Sequence, residues 1–162
     1  MLIRFPTWKV EFEMDRTEAR AALASTDLSN RKLAERARWP VWRHAAFGLL
    51  EALLLIAWGL PTAAMAACIV LALGGLGWIM ADDRNRNGFF VSGWSSKAAM
   101  PATIAACLVF VASIALVLMT GGPNQWTPMV PLAALITFVG CTISSIWWEK
   151  LYREELLRED AQ

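Results

Sequence analysis

Glu51 is the residue of this sequence whose type and position most directly suggest chemistry. It lies in an apolar run, and no Asp, Glu, Lys or Arg follows it before residue 82. A charged group at the centre of a membrane helix costs about 2.5–3.5 kcal/mol on insertion scales. One hypothesis is that Glu51 binds a proton or a cation in a transport cycle. The other is that the neutral acid donates a hydrogen bond to a neighbouring helix, where the candidate partners are Thr137, Ser144, Ser145, Thr103 and Ser113.

The other residue types that carry out chemistry form no recognisable set along the chain. His44 is the single histidine, and beside Arg43 it is expected to be an interfacial anchor rather than a metal ligand. Asp82 and Asp83 supply only a pair of carboxylates in a solvated loop. There is no glycine-rich phosphate loop, and no serine or cysteine with a base at a useful spacing. The sequence therefore predicts no catalytic residue, no metal site, no cofactor and no enzymatic activity.

Small residues recur inside the apolar runs at intervals of four. Such stripes let helices approach closely, and we expect them to serve packing, with a homodimer as an alternative use. They comprise Ala64, Cys68 and Ala72, then Ala98, Ala102 and Ala106, and finally Ala133, Thr137, Cys141 and Ser145. The three cysteines, Cys68, Cys107 and Cys141, are expected to be small hydrophobes without a disulfide.

The composition differs from that of a soluble domain. Hydrophobic residues make up 57% of the chain, and the mean hydropathy is +0.43. The charged residues are unevenly placed, since stretches 52–81 and 98–148 contain none. Ordinary globular proteins are about 45–50% apolar and carry charge throughout. The net charge of +1 gives no reason to expect a nucleic-acid partner.

The apolar runs are too long for two spans and divide into four. A bilayer core of about 30 Å needs about 20 helical residues. The first run breaks at Gly59-Leu60-Pro61, and the second at the turn-forming stretch 120–128. The predicted fold is all-α: an integral membrane four-helix bundle of two helical hairpins, with spans of about 41–59, 61–80, 97–119 and 129–148. The transmembrane domain would occupy 41–148.

Orientation follows from the basic residues. The 15 Lys and Arg residues occur in three places: before the first span or at its start (Arg43), between the second and third spans or at the start of the third (Lys97), and after the fourth. By the positive-inside rule both termini and the middle loop of this multi-pass protein are expected to be cytoplasmic. Tryptophans are expected as interface anchors at the cytoplasmic side, with Trp39, Trp42, Trp147 and Trp148 as the main ones.

Three segments lie outside the predicted spans. Residues 15–40 predict a cytoplasmic or interfacial amphipathic helix, capped by Asp15 or Thr17. Residues 1–14 are expected to be a flexible segment, with Met14 as the alternative true start of the protein. Residues 149–162 are expected to form a charged cytoplasmic tail.

The middle loop carries a resemblance. A basic stretch after Asp82 leads into Gly88-Phe-Phe-Val-Ser-Gly-Trp94. With a preceding Ala/Arg-rich helix and four spans, this resembles a family of uncharacterised small bacterial membrane proteins that share a Gly-aromatic-Val-Ser-Gly loop. The resemblance covers about residues 17–148. It implies the topology described above, in a bacterial cytoplasmic (inner) membrane, and no particular activity.

Two functions are compatible with this pattern. The first is an interaction or accessory subunit, which would contact a homodimer partner or a larger membrane protein through the N-terminal helix and the middle loop. The alternative is a small proton- or cation-coupled transporter using Glu51. A protein with four spans and a carboxylate in the first is similar to the small multidrug resistance transporters. Those transporters have very short loops and little charge bias, whereas this chain has a long N-terminal helix and a strong charge bias.

Overall fold

Five helices make up the computed structural model, which describes residues 16–88 and 91–158. They are α1 (Arg16–Arg36), α2 (Val41–Trp58), α3 (Thr62–Asn87), α4 (Met100–Thr120) and α5 (Met129–Arg158). No strand occurs within these two ranges. Helices α2 to α5 are each long and apolar enough to cross a membrane. The chain is thus all-α with four long apolar helices. The segment 1–14 lies outside the described residues.

Proline and glycine set several of the helix ends. Pro40 precedes α2 in an extended conformation, and Pro61 does the same before α3. Because a residue before proline is biased away from the helical region, both prolines separate neighbouring helices. At the far end of α3, Gly88 takes a left-handed conformation with φ 77°, and its N–H bonds back to the Arg84 carbonyl. Glycine adopts this conformation without steric cost, which ends the helix there.

Helices α3 and α5 continue past the ends of their apolar stretches. The sequence predicts spans ending near 80 and 148, whereas the helices run to Asn87 and Arg158. The extensions are charged, and ion pairs one turn apart stabilise such helices. Arg86 Nε lies 2.8 Å from an Asp82 oxygen in α3, and Arg158 lies 3.7 Å from Glu154 in α5. Residues 149–158 of the expected charged tail are therefore helical.

Helices α2 and α5 pack against each other at the centre of the molecule. Helix α3 packs on α2, α4 packs on α5, and the end of α1 also contacts α5. The buried face of α2 repeats about once per turn, at His44, Gly48, Ala52 and Leu55. It meets a buried face of α5 that is mostly small, composed of Val130, Ala133, Ala134, Thr137, Cys141 and Ser144.

Glycine allows the closest approaches between these helices. A Cβ at Gly48 would lie 2.6 Å from the Phe138 carbonyl oxygen and 2.3 Å from Thr142 Oγ1 on α5. A Cβ at Gly140 would lie 2.6 Å from a Val109 methyl on α4. Small residues at such positions let backbones meet. Of the small residues spaced at four on α5, Ala133, Thr137 and Cys141 are buried.

Large apolar side chains cover the outer faces of α3 and α4. Residues 70, 71 and 73 on α3 and residues 108 and 111 on α4 are all exposed, and Met119 is 86% exposed. Exposed apolar side chains in such number are typical of a membrane or interaction surface.

The connection between α4 and α5 is joined to the end of α2. The Asn124 N–H donates to the carbonyl of Trp58, the last residue of α2, at 2.9 Å. Asn124 has φ 64°, a conformation that asparagine tolerates better than most residues. This bond fixes the connection after α4 to the end of α2.

Candidate functional site

Glu51 is half-buried on α2, in the middle of the helix. Within the described ranges, no hydrogen bond or ion pair joins it to another side chain. Thr137 is fully buried, but its hydroxyl has no hydrogen-bond partner in the described part of the chain. Ser144 is also buried and is not bonded to Glu51. The role of Glu51 as a proton or cation site, and that of its suggested partners, stays a prediction.

The polar groups that do come together lie where α2 begins, which we call the polar end. It consists of Arg43, His44, Asp83, Ser96, Ser145, Glu149 and Glu155. These residues come from the start of α2, the end of α3, the segment before α4 and the second half of α5. No single stretch of sequence contains the set, so packing of the helices creates it.

His44 is the centre of a three-residue relay at this end. Its Nδ1 lies 2.8 Å from Ser145 Oγ, and its Nε2 lies 2.8 Å from Glu149 Oε2. The imidazole is 2% exposed. Ser145 and Glu149 are four residues apart on α5 and therefore share a face of that helix. The relay runs from a hydroxyl through an imidazole to a carboxylate.

The partners of His44 determine its tautomer. A carboxylate only accepts hydrogen bonds, so the Nε2–H of His44 donates to Glu149. The neutral ring then presents Nδ1 as an acceptor, and the Ser145 hydroxyl donates to it. Glu149 is held in turn by the Trp39 N–H at 3.4 Å and by Arg153 at 4.0 Å. Its orientation is thus fixed from both α5 and the segment before α2.

Arg43 points toward α3 instead. Its Nε donates to Asp83 at 2.8 Å, and a second N–H bonds the other oxygen of the same carboxylate. The Asp83 side chain is 4% exposed, so this two-point pair is removed from solvent. The guanidinium carbon also lies 4.7 Å from the ring centroid of Trp39, a cation–π contact. Arg43 thus binds α3, whereas its neighbour His44 binds α5.

The segment between α3 and α4 is tied to the same end. The Gly93 carbonyl accepts hydrogen bonds from Thr103 Oγ1 at 2.6 Å and from Trp148 Nε1 at 3.0 Å. Ser96 donates to Glu155, and its oxygen accepts the Ala99 N–H at 3.0 Å. These bonds hold residues 93–99 against α4 and α5.

A cavity of about 320 Å³ opens beside the polar end. Its walls are mostly apolar and come from α2, α3, α4 and α5, with Phe47, Ile79 and Ala102 among them. Arg43, Ser145 and Trp148 also line it, whereas Glu51 is not among the lining residues. Pockets of about 300–1,000 Å³ with apolar walls and a few polar groups are typical of small-molecule sites.

The four tryptophans expected as interface anchors differ in their surroundings. Trp39 is 9% exposed and packs against Trp148, with ring centroids 5.9 Å apart. Trp148 stacks on Tyr152 at 5.1 Å. Trp42 contacts Trp78 at 5.8 Å, and both Trp42 and Trp147 are exposed. Trp39 and Trp148 therefore contribute to packing at the polar end, and the role of all four as anchors stays a prediction.

Sequence reasoning did not find the relay. Ser145 and Glu149 lie 101 and 105 residues from His44. The one signal available was position, because His44 precedes Gly48 by one helical turn and so shares its face.

In the described ranges, no group of three or more His, Cys, Asp or Glu residues is placed to hold a metal ion. The described cysteines, Cys68, Cys107 and Cys141, are free thiols.

The chain matches no family model, no curated protein and no solved structure.

Proposed function

We propose that this chain is a multi-pass protein of the bacterial cytoplasmic membrane that acts as an interaction or accessory subunit. Helices α2–α3 and α4–α5 would cross the bilayer as two hairpins. Both termini and the segment between α3 and α4 would face the cytoplasm. The observation that carries the proposal is the division of the surface, with apolar side chains on the outer faces of the long helices and charged groups gathered at one end.

The gathering of charge at one end supports the proposed orientation. The Arg43–Asp83 pair, the Arg153–Glu149 pair and the Ser96–Glu155 bond all lie at the polar end. Basic residues at membrane ends favour the cytoplasmic side.

Helix α1 supports the interaction role. Its last turn is fixed to α5, since Ala34 and the following Ala37 are buried and Arg153 Nε donates to the Ala34 carbonyl at 3.2 Å. Farther from this attachment, Leu23 and Leu28 are exposed. A helix held at one end, with apolar side chains exposed along the rest, is suited to contact a partner protein.

The topology is tested by labelling single cysteines from outside the cell. The three native cysteines are replaced by alanine, and cysteine is introduced at Asn124 or at Ser25, both of which are exposed. A membrane-impermeant maleimide should label Asn124→Cys in intact cells and Ser25→Cys only after permeabilisation. Labelling of both variants from the same side would contradict the four-span topology.

The interaction role is tested by photocrosslinking through α1. A photoreactive residue at Leu23 or Leu28 should capture one partner in stoichiometric amount in mild detergent, either a second copy or a larger membrane protein. The matched control places the same residue at Leu108 on α4, which is exposed on the outer apolar face and should capture lipid. Equal capture at all three positions, or none at Leu23 and Leu28, would contradict the proposal.

The Glu51 transporter remains the second hypothesis from the sequence. Its test is proton release when lipophilic cations are added to the purified protein. A transporter should release protons in the wild type and not in Glu51→Gln. The absence of release in the wild type would leave the interaction role.

A further inference from the structure

We propose that Ser145 is the nucleophile of an ester-cleaving site, with His44 as its general base and the apolar cavity as the binding site for an acyl chain. This activity goes beyond the interaction role and does not depend on it. It also departs from the expectation of no enzymatic activity, which considered only spacing along the chain.

The orientation of the Ser145 hydroxyl is the first argument. Serine hydroxyls within helices commonly bond to a carbonyl one turn earlier. Ser25 and Ser29 do so on α1, at 2.7 and 2.8 Å. Ser145 instead meets the His44 ring nitrogen at 2.8 Å. This distance lies within the range required for proton transfer from a nucleophile to a base.

The support behind His44 is the second argument. A serine, a histidine and an acid in a hydrogen-bonded row define the hydrolytic triad by geometry rather than by sequence position. In the usual arrangement Nε2 meets the serine, whereas here Nδ1 does. Either nitrogen of a neutral imidazole accepts a proton when the other carries one. Glu149 holds the proton on Nε2 and is thus a positioning residue.

The location of the relay relative to the cavity is the third argument. Ser145 lines the cavity, whereas the buried His44 lies behind it and is not part of the wall. Arg43 also lines the cavity. The Asp83 carboxylate accepts hydrogen bonds from two of the five N–H groups of the Arg43 guanidinium. The remaining N–H groups are donors available to a negatively charged oxygen that forms in the cavity.

The reaction follows from these groups. Ser145 Oγ attacks the ester carbonyl carbon while its proton moves to His44 Nδ1, giving a tetrahedral oxyanion beside Arg43. Collapse breaks the bond to the alkoxy oxygen, which leaves as an alcohol with the proton from His44. Water then attacks the acyl-serine, with His44 again taking and returning a proton. The products are a carboxylic acid and the free serine.

The walls of the cavity define the substrate class. The apolar walls suit a single acyl chain, while the polar groups Arg43 and Ser145 suit the ester linkage. The substrate is therefore an amphiphilic acyl ester, with its chain in the cavity and its polar head toward the charged end. A membrane lipid and a free acyl ester share this chemistry.

The test is labelling of the purified full-length protein in detergent with an alkyl fluorophosphonate. The Ser145 oxygen would bond to phosphorus, fluoride would leave, and His44 would take the proton. Mass spectrometry of the wild type should find the adduct on the peptide containing Ser145. Ser145→Ala should lose it, and His44→Gln should slow labelling about 10²–10⁴-fold, the usual contribution of a general base.

Ser113→Ala is the matched control, because Ser113 is a buried serine of α4 that neither lines the cavity nor belongs to the relay. This variant should label at the wild-type rate. Wild-type protein that elutes as a single folded species and carries no adduct on Ser145 would overturn the proposal. So would equal loss of labelling in both serine variants. The relay would then be a structural link between α2 and α5, and the proposed interaction role would be unaffected.

Three further measurements sharpen the result. Labelling should become faster as the alkyl chain of the probe is lengthened, whereas an unchanged rate would contradict the acyl-chain assignment of the cavity. Release of fatty acid from lysophospholipid micelles, compared with cleavage of a free octanoyl ester, distinguishes a lipid source from a soluble one. For Glu149, Glu149→Gln should change the pH profile of the labelling rate, and Glu149→Asp should restore it. An unchanged profile would contradict its positioning role.

Discussion

The polar end and the middle of the α2–α5 interface use polar residues in opposite ways. At the polar end, His44 and Arg43 each bind a carboxylate from a different helix. Toward the middle of the interface, the buried Thr137 and Thr142 hydroxyls have no hydrogen-bond partner among the described residues, and Gly48 brings the backbones together. Specific pairing holds one region, whereas close packing holds the other.

The difference indicates where each kind of interaction is useful. Charged pairs withdrawn from water need a complete set of partners, and the polar end supplies them from four segments of the chain. In the middle of the interface, small side chains allow close contact, which provides the attraction between helices in an apolar surrounding. Substitutions at the two regions should therefore differ in size and in sign.

The largest effect is expected at Arg43. Arg43→Met leaves the Asp83 carboxylate buried without its partner, and loss of one member of a buried pair typically costs about 3–5 kcal/mol. The free energy of unfolding is measured in detergent micelles by denaturant titration.

The matched control is Arg86→Met. The Arg86 side chain is 57% exposed in its pair with Asp82, so the expected loss is at most about 1 kcal/mol. Equal losses in the two variants would mean that burial does not distinguish the two pairs.

A smaller effect is expected at the close approach of α2 and α5. Gly48→Ala places a methyl group 2.6 Å from the Phe138 carbonyl oxygen, so the helices must move apart. Overpacking of this kind costs about 1–3 kcal/mol. Gly77→Ala is the control, because no heavy atom lies within 4 Å of the Cβ it would introduce. Thermal unfolding of both variants should show a decrease for Gly48→Ala and no decrease for Gly77→Ala.

The smallest effect, and one of opposite sign, is expected at Thr137. Thr137→Val keeps the shape of the side chain and removes a buried hydroxyl that has no partner in the described part of the chain. Stability should rise by up to about 1 kcal/mol. By contrast, Ser96→Ala removes bonds to Glu155 and to the Ala99 N–H and should lower stability by about 1–2 kcal/mol. A loss of stability in Thr137→Val as large as that in Ser96→Ala would contradict the distinction between the two regions.

The four apolar helices could be predicted from the sequence because uncharged runs of sufficient length directly indicate them. The ends of α3 at Asn87 and of α5 at Arg158 could not, since hydropathy measures where the apolar residues stop and not where the backbone leaves the helix. The continuation of α5 past residue 148 decides the site, because it places Glu149 one turn beyond Ser145 on the same face. The segment predicted as a tail thus supplies a partner of His44.

The relay itself was beyond single-sequence reasoning. Whether His44 faces α5, α3 or solvent depends on which sides of α2 the other helices cover. The expected importance of Glu51 followed from its charge and position alone, and these properties carry no information about its neighbours. The small-residue spacing was more informative, because a close helix contact needs small residues wherever it occurs.

The central position of α2 has a consequence for how the chain is made. The ribosome completes α2 and α3 before α5, yet α5 covers the face of α2 that includes His44 and Leu55. The carbonyl of Trp58 likewise receives its bond from Asn124, which is synthesised later. The first half of the nascent protein must therefore keep its central face uncovered until the last helix arrives. A chain truncated before α5 would lack the partner of that face, so the protein matures as one unit rather than as two successive halves.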